Sequence, residues 1–148
     1  MERTLIILKP DAVQRRLCGK IIERFEDKGL KIAGMKFFKI PRELAETHYE
    51  AHREKPFYGD LLEFMTAGPV VLLAIEGPRA IEVSRQMMGK TFGYQADPGT
   101  IRGDFGISSQ YNLIHGSDSA ESAQRELELF FRPGELYSYP LIDDPWMA

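Results

Sequence analysis

An α+β fold is what these 148 residues predict, on three observations. Four short apolar runs read as strands, amphipathic stretches of helical period separate them, and the order is β-α-β-α-α-β-α-loop-β-α. Strands split by helices, yet too few for a doubly wound sheet, match the ferredoxin-like pattern: a βαββαβ four-stranded antiparallel sheet covered by helices, with a long loop before the last strand. No repeat, low-complexity stretch or Pro/Gly/Ser linker divides the chain, so residues 1–148 are expected to form one domain.

Arg3–Leu8 reads as a short buried strand ended by Pro10 and Asp11. Ile21, Ile22 and Phe25 then share one helical face opposite Lys20, Glu23 and Asp27, and Gly29 stops that helix. Leu30–Ile40 alternates as a strand. Pro41 opens a helical stretch through Leu44, Thr47, His48 and Ala51, and a second short helix follows Pro56 through Leu61, Leu62 and Met65. Gly68-Pro69 breaks the chain before Val70–Ile75, the clearest central strand. A helix from Arg79 to about Met88 leads into Gly89–Gln110, an irregular stretch rich in Gly, Asp and Thr, and loops of that length usually carry function. Tyr111–Ile114 is the fourth strand. Asp118 and Glu121 then read as a capping box for a final helix that buries Ala120, Ala123, Leu127 and Phe130 and ends before Pro133-Gly134.

Composition narrows the function classes. The chain is 43% hydrophobic and 28% charged, which suits one real core, and its formal net charge is −3. Bulk attraction to nucleic acid or an anionic membrane is therefore not expected; an anion site must come from a few local cations. A lone cysteine, Cys18, cannot form an internal disulfide, and Leu5–Leu8 is too short for a signal-peptide core, so a cytoplasmic protein is expected.

Three motifs fail on inspection. Gly89-Lys90-Thr91 resembles the tail of a phosphate-binding loop, but Ser84 stands where that loop needs glycine, and a helix rather than a strand precedes it. Asp104-Phe105-Gly106 spells the metal-binding triplet of protein kinases without any of its companion motifs. His48 and His52 are four apart, but Tyr49 replaces the glutamate that a zinc-protease helix requires; two histidines on a helix surface are the simpler reading.

His115 differs. It follows the apolar pair Leu113-Ile114 and precedes Gly116 and a helix start, a strand-end position that exposes its ring beside an anion-favouring helix N-terminus. On that ground alone a hydrogen-bonded structural histidine and a catalytic one are evenly matched. Lys9, Arg85 and Arg102 add cations at element ends, a pattern consistent with a polyphosphate clamp, although salt bridges explain most such residues. Thr91, Thr100 and Asn112 add hydroxyl and amide groups in the same region.

The run Asn112-Leu-Ile-His115-Gly-Ser-Asp-Ser119 resembles the active-site signature of nucleoside diphosphate kinases. Agreement continues in Arg3-Thr-Leu-Ile-Ile-Leu-Lys9-Pro-Asp11, His48-Tyr49, Pro56-Phe57, Gly68-Pro69-Val70 and Pro98-Gly-Thr-Ile-Arg102-Gly-Asp104, from about residue 2 to Phe131. The resemblance implies that His115 is a nucleophile that takes the γ-phosphoryl group of a nucleoside triphosphate, usually ATP, and passes it to a nucleoside diphosphate in a ping-pong cycle. It implies that Glu126 orients His115, and that Lys9 and Tyr49 face the moving group and the ribose 3′-hydroxyl. Arg85, Thr91 and Arg102 are expected to hold the phosphates, Asn112 the ribose, and Phe57 to stack on any base. Mg²⁺ is expected to arrive with the nucleotide, Asp118 touching its water shell, so no protein-only cage is implied.

Two departures stand out. Phe92-Gly93-Tyr94 replaces the family's usual Asn-Pro, and glycine for proline is expected to loosen that loop. Ser109 stands where a small apolar residue often borders the base. The tail ending Asp143-Asp144-Pro145-Trp146-Met147-Ala148 favours a homo-oligomer of the longer-tailed hexameric kind over a tetramer. Nucleotide binding without turnover is opposed by the retention of His115 and Glu126. A ferredoxin-like RNA-binding module is opposed by the aliphatic strand Val70–Ile75 and the acidic charge.

Overall fold

The computed structural model describes residues 1–148. Four strands, β1 (Glu2–Leu8), β2 (Lys31–Phe38), β3 (Val70–Gly77) and β4 (Ile114–Gly116), form one antiparallel sheet in the order β2-β3-β1-β4, the ferredoxin-like arrangement that the element order predicts. Strand parity divides the core. Ile6 and Leu8 of β1 with Leu73 and Ile75 of β3 face helices α1 (Pro10–Gln14), α2 (Cys18–Asp27), α5 (Ala80–Met88) and α6 (Ile101–Phe105). Leu5 and Ile7 with Val70, Leu72 and Ala74 face α3 (Arg42–His48), α4 (Tyr58–Thr66) and α7 (Ala120–Phe130). With both faces covered, β3 is buried along its whole length, which is why it reads as an unbroken apolar run.

Departures from the expected layout have local causes. Pro10 and Asp11 end β1 but also begin α1, because proline is suited to the first helical position. In β2, Ile32 lies opposite Ile75 and Gly34 opposite Ala74, so Ala33 is an extra residue and the expected alternation reverses beyond it. Met35 and Phe37 consequently stand 57% and 66% exposed. The stretch 89–110 is not structureless. It holds a 3₁₀ turn, Gly93–Gln95, and α6, capped by the Thr100 hydroxyl. The final helix is capped by Ser119, whose side chain accepts the Ser122 N–H, one residue later than the capping box implied.

The fourth strand begins at Ile114 rather than Tyr111, because the backbone turns at Leu113. After α7 the tail returns along β2, where the Tyr137 N–H donates to the Ala33 carbonyl at 2.9 Å and Lys31 Nζ to the Tyr139 carbonyl at 2.5 Å. It ends in the one-turn α8 (Asp144–Met147). No helix is long and apolar enough to cross a membrane.

Candidate active site

His115 lies in β4 opposite Ile7, so its side chain leaves the sheet on the α3/α7 face. Its Nε2 is 2.8 Å from Oε1 of Glu126, supplied by α7. The same carboxylate oxygen accepts the Ser117 hydroxyl at 2.8 Å, and Ser117 Oγ in turn accepts the Leu5 N–H at 3.3 Å. Burial alone would raise the Glu126 carboxyl. The hydrogen bond and charge of His115, with the Ser117 hydroxyl, hold it below its ordinary value. Glu126 is therefore an anion near neutral pH and accepts a hydrogen bond from the Nε2–H of His115, a tautomer that leaves Nδ1 with its lone pair.

Behind this pair stands His48. Its ring centroid is 4.9 Å from that of His115, with the planes at 85°, and it also touches Tyr49 and Phe130 edge-on. The expectation of a surface histidine fails here: Ala45, His48 and Tyr49 share the face of α3 that meets the sheet, and His48 is 7% exposed. Neither ring nitrogen has a partner. Burial, reinforced by His115, Arg125 and Lys9 and opposed by Glu126, pushes its pKa down to about 3, so the ring is neutral. His48, His115 and Glu126 offer ligand atoms within 4.8 Å of one another, but two imidazoles and one carboxylate are not the oxygen shell that Mg²⁺ takes.

Three cations gather at the ends of β1 and β4. Lys9, at the head of α1, donates through Nζ to Asn112 Oδ1 at 2.8 Å, and Asn112 Nδ2 donates to the Thr91 carbonyl at 3.1 Å. Arg102 spends three of its five N–H donors on the carbonyls of Asn112, Gly89 and Ile114, at 3.2, 3.2 and 2.6 Å. Arg85 Nη1 donates to the Gly116 carbonyl at 3.1 Å. Burial and then the Arg102 charge lower Lys9 to about 8, with Asp11 opposing; burial and then the Arg85 charge lower Arg102 to about 10. Like charges forced together in this way attract an anion.

Beside these cations opens a cleft of about 410 Å³. Lys9, Asn112 and Thr91 form its polar side, and Phe57, Phe64, Phe92 and Tyr111 its aromatic walls, with Ser109 between. Phe57, at the head of α4, is 49% exposed, and Phe64 packs on Tyr111 at 4.8 Å. The Tyr49 hydroxyl is buried without a partner, and burial raises its pKa. The site can thus take a flat apolar ring in the cleft and a chain of anionic groups running toward the histidine.

Of the residues singled out from sequence, Lys9, Phe57, Thr91 and Asn112 line this cleft, while His115 and Glu126 pair on the same sheet face. Asp118 borders a separate depression with Arg85 and Arg79. Thr100 is spent on its helix cap, accepting from Gly103 N–H and donating to the Asp97 carbonyl. Asp104 is bound to Arg24 and to Gly99 N–H, so the kinase-like triplet is structural. The loosening expected at Gly93 does not follow from the packing: a Cβ there would stand 2.4 Å from the Gly106 carbonyl, so glycine permits a close backbone approach. Sequence reasoning missed Ser117, whose signal was its two-residue spacing from His115, and also the aromatic walls Phe64 and Tyr111.

Comparison with known proteins identifies the family of the chain. The family model described as nucleoside diphosphate kinase matches residues 2–136. A nucleoside diphosphate kinase of Thermomicrobium roseum is 58% identical over 147 residues, 99% of either chain. One from Pyrococcus horikoshii is 58% identical over 146 residues, 97% of this chain and 93% of that one. Among solved structures, the halophilic enzyme of Halobacterium salinarum in complex with CDP has a TM-score of 0.97 at 46% identity, covering 99% of this chain and 98% of that one. A transition-state mimic of the Borrelia burgdorferi enzyme, with bound vanadate and ADP, has a TM-score of 0.94 at 35% identity, covering 99% and 96%. The chain therefore belongs to the nucleoside diphosphate kinase family, phosphotransferases that move the terminal phosphate of a nucleoside triphosphate to a nucleoside diphosphate.

Proposed function

We propose that His115 carries the phosphoryl group between donor and acceptor. In the first half-reaction Nδ1 attacks the γ-phosphorus of a nucleoside triphosphate. The bond from that phosphorus to the bridging oxygen breaks, its electron pair leaves with the diphosphate, and an N–P bond forms. The second half-reaction runs the same steps backward onto another nucleoside diphosphate. The observation that carries this reading is the hydrogen bond between His115 Nε2 and Glu126, which selects one tautomer and leaves the other nitrogen nucleophilic.

Charge spreads over the phosphoryl oxygens during transfer, so the surrounding donors matter most where they stand before reaction. Lys9 and the unpartnered Tyr49 hydroxyl serve the moving group, and Arg85, Arg102 and Thr91 hold the phosphates. Asn112, already bonded to Lys9, positions the ribose. Phe57 stacks on the base without reading its edge, which supports broad acceptance of purines and pyrimidines. CDP on the Halobacterium relative and ADP on the Borrelia relative support the same breadth. Mg²⁺ suits a site of this kind when carried by the nucleotide phosphates, whose charge it neutralises; Asp118, in the separate depression it shares with Arg85, would meet its water shell where the phosphates reach Arg85.

One domain over residues 1–148 carries these parts in a cytoplasmic homo-oligomer, a hexamer rather than a tetramer. The 84% exposure of Trp146 and the uncovered Met35 and Phe37 support assembly, and sedimentation of the native protein distinguishes the two sizes. Incubation with γ-labelled ATP tests the chemistry: the wild type should acquire an acid-labile label and His115→Asn none. Full labelling of that variant would defeat the assignment.

A further inference from the structure

We propose that Asp11 is a positioning residue, its carboxylate fixing a strained turn at Leu113 that brings Asn112 to the face of the sheet where His115 works. The inference rests on His115 and Asn112 acting as described above, and it adds a residue that touches neither phosphate nor base.

Leu113 has φ of +71°, a left-handed conformation that a branched aliphatic side chain rarely adopts. The Ile114 N–H donates to the Asn112 carbonyl at 2.7 Å, closing a three-residue γ-turn of the rarer, positive-φ kind. Local preference points elsewhere, since the apolar run ending at Ile114 reads as strand. Three long-range bonds override it. The Leu113 carbonyl accepts the Lys9 N–H at 2.8 Å, and the Asn112 carbonyl also accepts Arg102 Nε at 3.2 Å. The third is from the Leu113 N–H itself, which donates to Asp11 Oδ2 at 3.1 Å. That is the one side-chain acceptor the turn uses, and it serves an N–H on Leu113, which is fully buried, from Asp11, which is partly buried. Without it a backbone N–H beside the core loses its partner, and the strain at Leu113 is no longer opposed from that side.

The turn matters because of parity. In an extended strand, residues 112 and 115 would point to opposite faces of the sheet. Lys9 follows Ile7 at the same parity, and Ile7 lies opposite His115, so Lys9 and His115 share a face. Only the reversal at Leu113 lets the Asn112 carboxamide reach Lys9 Nζ at 2.8 Å and the Thr91 carbonyl at 3.1 Å on that face. Asp11 thus ties the start of α1 to the residue between the two functional side chains.

Asp11→Ala and Asp11→Asn test this, read by the single-turnover rate of His115 phosphorylation and by hydrogen exchange of the Leu113 amide in the unliganded protein. Displacement of positioned groups by about 1 Å costs up to ~100-fold in rate. Asp11→Ala should therefore phosphorylate at least about tenfold more slowly, with the Leu113 amide exchanging correspondingly faster. Asp11→Asn, whose amide oxygen still accepts an N–H, should stay within about threefold of wild type in both. Wild-type protection of the Leu113 amide in Asp11→Ala overturns the proposal. So does an Asp11→Asn variant as slow as Asp11→Ala with that amide still protected, since charge rather than the turn would then be responsible. If Asp11→Ala does not fold, the Leu113 amide proton decides: it should move upfield in Asp11→Asn, where the acceptor is neutral, and an unmoved resonance overturns the assignment. A wild type that takes no label on His115 would sink the catalytic reading alone, because the amide measurements still judge the turn.

Discussion

Replacing His48 by phenylalanine should flatten the acid side of the stability profile. An unfolded histidine titrates near ~6.5, whereas burial and its cationic neighbours push His48 down to about 3 in the folded chain. Its folded pKa is depressed, so the unfolded chain takes up the proton first as pH falls. The stability tied to the neutral ring is complete above about 6.5 and drains away toward 3. At pH 4.5 the difference is two pH units at ~1.36 kcal/mol each, or about 2.7 kcal/mol. Phenylalanine keeps a flat ring against Tyr49, His115 and Phe130 and adds no buried polar atoms, and neither His48 nitrogen has a bond to lose. Glu126, whose carboxyl is held low and also loses stabilisation in acid, is present in both proteins and largely cancels from the comparison. Urea unfolding at pH 7 and pH 4.5, at one fixed subunit concentration, measures the effect. The wild type should lose about 2–3 kcal/mol more than His48→Phe across that interval. Parallel losses would mean that His48 is hydrated or charged in the folded chain, and the reasoning from its buried, unpartnered nitrogens would be refuted.

Glu126→Ala should lower kcat by about 10–100-fold, because His115 loses the acceptor that sets its tautomer, yet should still fold, since the apolar face of α7 survives. Steady-state exchange and circular dichroism check the two halves. Lys9 must be protonated to meet phosphate and titrates at about 8, so kcat/KM should fall above that pH, and Lys9→Met should abolish the limb along with most activity. The same burial that lowers Lys9 makes its charge a cost to the fold, so Lys9→Met should unfold at higher urea, with a gain of ~1–3 kcal/mol; a less stable variant would contradict that assignment. Gly93→Ala should lower the melting temperature measurably, because the new Cβ would meet the Gly106 backbone at 2.4 Å; an unchanged melting curve would show that this approach relaxes freely.

Much of the fold was legible because its signals are local. The continuous apolar runs in Arg3–Leu8 and Val70–Ile75 and the helical spacing of Ile21, Ile22 and Phe25 survive into β1, β3 and α2 almost unchanged. The misreadings fall where a distant segment overrides the local pattern. The extra Ala33 in β2 answers to its register with β3, and Tyr111–Leu113 left the strand because Lys9 and Asp11 hold the backbone there. α6 escaped notice because one turn capped by Thr100 is too short to show a period.

The amino-acid order alone determined that a histidine signature sits at the end of the last strand, and that a glutamate eleven residues on lies on a helix able to return to it. Whether His115 offers Nδ1 or Nε2, whether Lys9, Arg85 and Arg102 converge, and where His48 stands were decided by tertiary structure. The physical reason is range. Secondary-structure preference is written in residues three or four apart. Charge repulsion, burial and tautomer choice depend on groups about a hundred positions apart in the chain that only packing of the sheet and its two helical layers brings within bonding distance.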